Sequence, residues 1–283
     1  MDSSLSARFI EGRYAARAHI PSMSALRAAR KAIARSVYAL VRGAAPAAYA
    51  QDGLISVHSH AFMQDPAFVR AYARGVKALG GTDTYQWHWR IHIGLWAARV
   101  GAGLEGDFVE CGVNRGFLSS AIMEYLDWNS LGRDFYLLDT FAGLDERFVS
   151  DSERRGGALR KNAQDLHSGF YVRGVEEVRA NFSQWPRARI VVGAVPETLG
   201  QVSATRVAYL HLDMNSAAPE TAALAYFWDR LVAGAPVLLD DYAYLGYTPQ
   251  KLAMDEFART HDVTVCSLPT GQGLIIRPPQ SLR

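Results

Sequence analysis

From residue 105 onward the chain alternates short apolar runs with stretches of helical periodicity, and three of those runs end in aspartate. The runs at 107–111, 134–138, 189–192, 207–212 and 236–239 are four to six residues long, which suits buried strands. The segments between them, 117–128, 174–181 and 219–231, have the spacing of helices, as does 248–260. Residues 263–268 and 273–277 predict a closing hairpin. Strands that alternate with helices predict a mostly parallel sheet joined by right-handed crossovers. The expected fold class is therefore α/β: a Rossmann-like, mostly parallel sheet with flanking helices, an antiparallel last strand and a helical N-terminal extension. In such sheets ligands gather at the carboxyl ends of the strands. Asp139, Asp213 and the pair Asp240-Asp241 all stand there.

The first strand runs into Glu110-Cys111-Gly112-Val113-Asn114-Arg115-Gly116. Gly112 permits a tight turn, Gly116 lets the next helix approach the strand, and the helix start offers free N–H groups to an anion. A dinucleotide site would have glycine where Glu110 stands. A carboxylate there repels a pyrophosphate and attracts an ammonium, so the turn suits S-adenosylmethionine better than NAD. Asp139, 23 residues after Gly116, is placed to accept hydrogen bonds from ribose hydroxyls. Gly193 and Ala194, small residues after the third strand, leave room for the adenine ring. An NAD-linked oxidoreductase is the first rival reading, and Glu110 argues against it.

The 283 residues suit one large domain with an appendage. Residues 1–50 read as a basic leader, 51–104 as a helical cap and 105–283 as the cofactor-binding domain. The net charge is +2, but residues 1–43 carry eight basic side chains against two acidic ones, net +6, which leaves −4 for the rest. A basic, alanine-rich leader can contact an acidic membrane surface or remain a solvated arm. The acidic remainder argues against nucleic acid as a partner. No apolar run approaches membrane-spanning length. Two cysteines, Cys111 and Cys266, make neither a disulfide framework nor a zinc site, which points to a reducing, cytoplasmic setting. In the cap, Asp65-Pro66 marks a helix start and Gly80-Gly81 a break. The Trp87, His88, Trp89 and His92 cluster reads either as helix packing or as a wall for stacking a sugar. The aromatic cap leaves homo-oligomerisation open. Residues 142–170, rich in Gly, Arg and Ser, read as a long loop or lid.

Glu110–Gly116, Leu138-Asp139-Thr140-Phe141-Ala142-Gly143-Leu144, Gly193–Leu199, Leu210-His211-Leu212-Asp213 and Val237-Leu238-Leu239-Asp240-Asp241-Tyr242 together resemble the macrocin O-methyltransferase family over residues 105–277. The resemblance implies a class I methyltransferase fold and methylation of a sugar hydroxyl on a glycoside or related small molecule. It also implies S-adenosylmethionine and a magnesium ion, with Asp213, Asp240 and Asp241 as metal ligands. Hard carboxylate oxygens are what magnesium prefers. One position departs from the pattern. The family has a second acid two residues after the first, a proposed general base, whereas this chain has Asn215, which cannot take a proton. The residues that follow, Ser216-Ala217-Ala218-Pro219, also differ.

Methyl transfer is an in-line displacement, and the protein's task is alignment. Asp213 is a candidate catalytic residue. His211 is a second, as a base that shares a strand face with Asp213; a buried structural histidine is its other reading. His167 in the expected lid is a further candidate. Two other functions compete: a non-catalytic S-adenosylmethionine-binding homologue, which Asn215 favours, and a catechol-type small-molecule O-methyltransferase.

Overall fold

The structure, a computed structural model, describes residues 31–33 and 48–279, so almost all of the basic leader lies outside the described residues. The described residues fall into two units, the first with 31–33, 48–50 and 55–57 and the second with 51–54 and 58–279. The second carries the architecture described below.

Its centre is a seven-stranded sheet. In chain order the strands are β1 (Asp107–Cys111), β2 (Phe135–Asp139), β3 (Ala188–Val192), β4 (Val207–Leu212), β5 (Pro236–Leu239), β6 (Cys266–Ser267) and β7 (Gly273–Ile276). Their spatial order is β3-β2-β1-β4-β5-β7-β6. The first five are parallel, and β7 pairs antiparallel with both β5 and β6. The expected α/β class, with its antiparallel last strand, is what the chain forms. The chain order reverses direction between β1 and β4, which is where an open α/β sheet opens its crevice.

Residues alternate between the two faces of each strand. Phe108, Leu137 and Tyr209 enter one core layer, and Val109, Leu138 and Leu210 enter the other. Helix α1 (Pro66–Ala78) starts where the sequence signals it: Asp65 Oδ1 accepts from Ala67 N at 2.7 Å and Phe68 N at 3.2 Å. It ends before Gly80 and Gly81, both at positive φ. Helix α2 (His88–Ala102) follows, and α3 (Phe117–Tyr125) opens from the glycine turn after β1. A Cβ on Gly75 would lie 2.1 Å from the Phe117 ring, so α1 can cross α3 only at a glycine. Phe68, Ala71, Ile91 and Leu95 of α1 and α2 share one core with α3, so this part of the cap is built into the sheet's helical layer.

Residues 142–170, expected as a loop, are largely helical. After the short α4 (Trp128–Leu131), α5 (Asp151–Gly156) and α6 (Ala158–Ser168) form here. Ser150 and Glu153 make a reciprocal capping box that starts α5, and Gly157 in the left-handed region separates the two helices. The polar, glycine-broken composition hid two short helices, of which the second carries a narrow apolar face of Leu159, Ala163 and Leu166. The remaining helices are α7 (Glu176–Phe182), α8 (Ala217–Trp228) and α9 (Thr248–Thr260). Cys111 is buried, Cys266 is exposed, and both are free. No helix among the described residues is long and apolar enough to cross a membrane.

Candidate active site

The carboxyl ends of β1, β2, β4 and β5 open into one cavity of about 720 Å³. Its floor begins at the turn after β1. Gly112 has φ 94°, and a Cβ there would sit 1.9 Å from the Asp213 carbonyl oxygen, so only glycine allows β1 and β4 to approach this closely. Gly116, at φ 81°, starts α3 against the Phe182 ring.

Asp139 clamps this turn. Its Oδ2 accepts from Val113 N and Asn114 N, each at 2.7 Å, and its Oδ1 accepts from Phe141 N at 2.6 Å. Burial pushes its carboxyl above the usual range, and the three N–H groups pull it back. Gly193 N donates to the Asp139 carbonyl at 2.9 Å, which brings Gly193 and Ala194 beside the clamp.

Glu110 and His211 are register partners on β1 and β4, and each is 2% exposed. His211 Nδ1 donates to Glu110 Oε1 at 3.0 Å, while Nε2 lies 3.7 Å from Asp240 Oδ1. Burial alone would lower the imidazole pKa, but Asp240 and Glu110 outweigh it and hold it at about 10. His211 is therefore a cation between two acids at neutral pH and cannot serve as the expected base. Glu110 Oε2, also buried, has no partner among the described residues.

The three aspartates at the ends of β4 and β5 meet in the same cavity but differ in state. Asp240 is engaged on both oxygens. Gln272 Nε2 donates to Oδ1 at 2.9 Å, and Arg90 Nη1 donates to Oδ2 and, at 3.0 Å, to the Asp240 carbonyl. Arg90 and His211 overcome its burial and keep its carboxyl well below the usual range. Asp213 is pushed well above that range, first by burial and then by Asp240 and Asp241. Asp241 is pushed up to about 7 by burial and by Asp240. Arg90 also reaches Asp52, at 3.3 Å. Among the described residues no three His, Cys, Asp or Glu side chains are arranged to hold a metal ion. Of the three expected ligands, Asp240 is paired with Arg90 and Gln272 in this arrangement.

Asn215 adopts φ 57°, a left-handed conformation that asparagine and aspartate tolerate better than most residues. Its Nδ2 donates to Asp213 Oδ1 at 3.1 Å, and its Oδ1 accepts from the Tyr247 hydroxyl at 2.7 Å. The α5–α6 segment closes over this turn. Glu153 Oε1 accepts from Ala217 N at 2.7 Å, and Ser216 Oγ donates to the Phe148 carbonyl.

Residues 96–267 match the model of the family described as Macrocin-O-methyltransferase (TylF). The chain belongs to the macrocin O-methyltransferase family. A curated relative from Streptomyces olivaceus, 8-demethyl-8-(2,3-dimethoxy-alpha-L-rhamnosyl)-tetracenomycin-C 4'-O-methyltransferase, is 31% identical over 149 residues, covering 50% of this chain. The chain spans about half the length of that relative (54%). Among solved structures, the O-methyltransferase NovP aligns with TM-score 0.60 and 22% identity, covering 77% of this chain and 98% of its own. CalS11, a calicheamicin methyltransferase, aligns with TM-score 0.53 and 19% identity, covering 75% and 93%. At these identities the two structures show a shared fold.

Within the macrocin O-methyltransferase family frame, the cavity collects Glu110, Gly112, Asp139, Gly193, Ala194, His211, Asp213, Asp240 and Asp241, with Gly116 at the base of α3. Trp87 lines it too. His88 and His92 instead stack on Tyr72 and Phe62, with Trp89 edge-on to Phe62, so these three follow the packing reading. His167 lies on α6 but does not line the cavity. Arg90, Tyr247 and Glu153 went unrecognised in the sequence. Only Glu153 had a local signal, the Ser-x-x-Glu capping spacing.

Proposed function

We propose that the chain transfers the methyl group of S-adenosylmethionine to a hydroxyl on a sugar of a glycosylated metabolite. The observation that carries this reading is Glu110: a buried carboxylate with one oxygen unpartnered, on the floor of the cavity where the acid-ended strands converge. A lone buried carboxylate oxygen is costly unless a ligand satisfies it, and the methionine ammonium has the charge to do so. Asp139 keeps the Val113–Asn114 turn in shape, and ribose hydroxyls would take the acceptor position that the Thr140 hydroxyl reaches at 3.4 Å. Gly193 and Ala194 leave space for the adenine.

In the transfer the acceptor oxygen bonds to the methyl carbon as the carbon–sulfur bond breaks, and the hydroxyl proton leaves. Asp213 and Asp241, which line the cavity, would receive that proton. Asn215 cannot take it, and His211 already carries one. The residues fit a divalent cation in part. Burial and Asp240 raise the pKa of both Asp213 and Asp241, and Asp241 raises that of Asp213 further, while Asp240 is paired with Arg90. Asp213 and Asp241 would hold magnesium, and Asp240 would join them only by releasing Arg90. Magnesium bound there would supply Lewis acidity that lowers the pKa of the acceptor hydroxyl.

Calorimetric titration with S-adenosylhomocysteine tests the cofactor, with micromolar binding (about −8 kcal/mol) expected. Transfer of labelled methyl to a panel of glycosides tests the reaction. Binding without transfer to any acceptor would favour a second, non-catalytic reading, for which the Asn215 amide tied between Asp213 and Tyr247 is the specific observation.

A further inference from the structure

The glutamate of a capping box usually serves its own helix alone. Glu153 serves two. Its Oε2 accepts from Ser150 N at 2.7 Å and from Ser150 Oγ at 2.6 Å, which closes the box that starts α5. Its Oε1 accepts from Ala217 N at 2.7 Å, in the first turn of α8. The starts of two helices, each with positive partial charge, thus converge on one carboxylate that is 6% exposed. The sequence around α8 explains why it needs a cap from elsewhere. Its N-cap residue, Ser216, makes no capping bond; the Ser216 Oγ donates instead to the Phe148 carbonyl at 3.1 Å. Glu220, one turn into α8, is engaged by Met214 N at 3.1 Å, and Pro219 has no N–H. The turn that carries Asp213 and Asn215 is therefore held from two sides, by Glu220 of its own helix and by Glu153 of α5.

The far end of the same segment is tied to the turn after β1. Asn114 Oδ1 accepts from Val172 N at 2.9 Å, Asn114 Nδ2 donates to the Phe170 carbonyl at 3.1 Å, and Arg115 Nη2 donates to the Gly169 carbonyl at 3.1 Å. Asn114 N is itself one of the amides that Asp139 clamps. Phe148, Glu153, Asn162 and Tyr171 of this segment line the cavity. Residues 148–172 are thus hydrogen-bonded at one end to the turn of the expected donor site and at the other to the turn that carries Asp213.

We infer that Glu153 is a positioning residue for the transfer: a donor seated against the β1 turn orders residues 148–172, and Glu153 passes that order to the Asp213–Asn215 turn by capping α8. The inference rests on the S-adenosylmethionine reading above and adds an order of assembly to it, in which the donor prepares the acceptor end of the cavity. The physical reason is that the first turn of α8 lacks a cap of its own, so the helix start and the turn before it are fixed when Glu153 is fixed. Coupling of this kind is a free-energy difference between ligand-bound and free states, so it is read from the response to a ligand rather than from the contacts alone.

The test is hydrogen–deuterium exchange of the full chain, with and without saturating S-adenosylhomocysteine, on wild type, Glu153→Gln and Ser150→Ala. Glutamine keeps one acceptor oxygen, so it serves Ser150 or Ala217 but not both. Ser150→Ala weakens the start of α5 and leaves the Ala217 bond in place. In the wild type the ligand should slow exchange over 213–217 at least about fivefold, the lower end of ordinary coupling between sites. Glu153→Gln should lose that slowing while the ligand still protects the β1 turn at 112–116, and Ser150→Ala should keep it. A residue that merely supports the fold would speed exchange at 213–217 equally with and without ligand. That result overturns the inference, as does an undiminished response in Glu153→Gln or a lost response in Ser150→Ala. If Glu153→Gln fails to fold, Ser216→Ala, which removes the tie to Phe148, is read by the same criterion. Protection of 112–116 without protection of 213–217 in the wild type overturns the inference and leaves the donor reading standing. If the ligand protects neither, the inference and the donor reading fall together.

Discussion

His211 Nδ1 donates to Glu110 Oε1 at 3.0 Å, and the two residues are register partners on the adjacent central strands β4 and β1. This pair joins the expected cofactor end of the cavity to the acid cluster, because the other face of the imidazole meets Asp240. One cation thus neutralises acids from two strand ends.

Because His211 has its pKa raised to about 10 in the folded chain, against about 6.5 when unfolded, its contribution to stability is full below pH 6.5. It declines as pH rises and is lost as pH passes through about 10. One retained proton gives a slope of up to about 1.4 kcal/mol per pH unit in that window. Urea unfolding from pH 6 to 10 should show the decline in the wild type. His211→Gln should show a shallower decline, the remainder coming from the raised carboxyls of Asp213 and Asp241, and should lose about 3–5 kcal/mol at neutral pH, since Glu110 is left buried without its partner. A flat wild-type profile would show that the imidazole is neutral.

Gly112→Ala should be among the most damaging small substitutions in the chain. Its methyl would meet the Asp213 carbonyl at 1.9 Å, and its φ of 94° is strained for any side chain. Strain and overpacking together should cost about 3 kcal/mol. Chemical denaturation reads this directly. A change under about 0.5 kcal/mol, the usual range for innocuous surface sites, would mean the two strands can separate.

Asp139→Ala removes the acceptor for three backbone N–H groups at once. A stability loss of about 1–3 kcal/mol is expected. S-adenosylhomocysteine affinity should fall at least about tenfold (about 1.4 kcal/mol), because the turn that shapes the site loosens. Unchanged affinity would separate the clamp from the cofactor site.

Asn215→Asp places a carboxylate where an amide now donates to Asp213 Oδ1 at 3.1 Å. Asparagine and aspartate both accept the left-handed backbone, so the cost should be electrostatic. The variant should melt below wild type in chelator and be raised more than wild type by magnesium, as measured by calorimetric scans. An equal response to magnesium in both proteins would argue that no divalent ion approaches Asp213.

The order of elements was legible in the sequence because the parallel strands are short, mostly apolar runs set between helical stretches. β1, β4 and α9 occur over the residues the pattern predicts. Asp139, Asp213, Asp240 and Asp241 were legible as a convergent set because a parallel sheet carries all its strand ends to one edge. Helices α5 and α6 were not legible, since α5 is only six residues long, the apolar face of α6 is three small-to-medium side chains in a polar, glycine-broken stretch, and the Ser150–Glu153 box that starts α5 is a two-residue signal. The sequence by itself therefore determined that the acid-ended strands converge on one edge of the sheet. Only the tertiary structure decided what state the residues there are in. Asp139 is a clamp on backbone N–H groups, His211 is a cation, and Asp240 is bound to Arg90 from a helix 150 positions away. The physical reason is that the charge of a buried group depends on its desolvation and on partners set within a few ångströms by packing, and neither is written in local sequence.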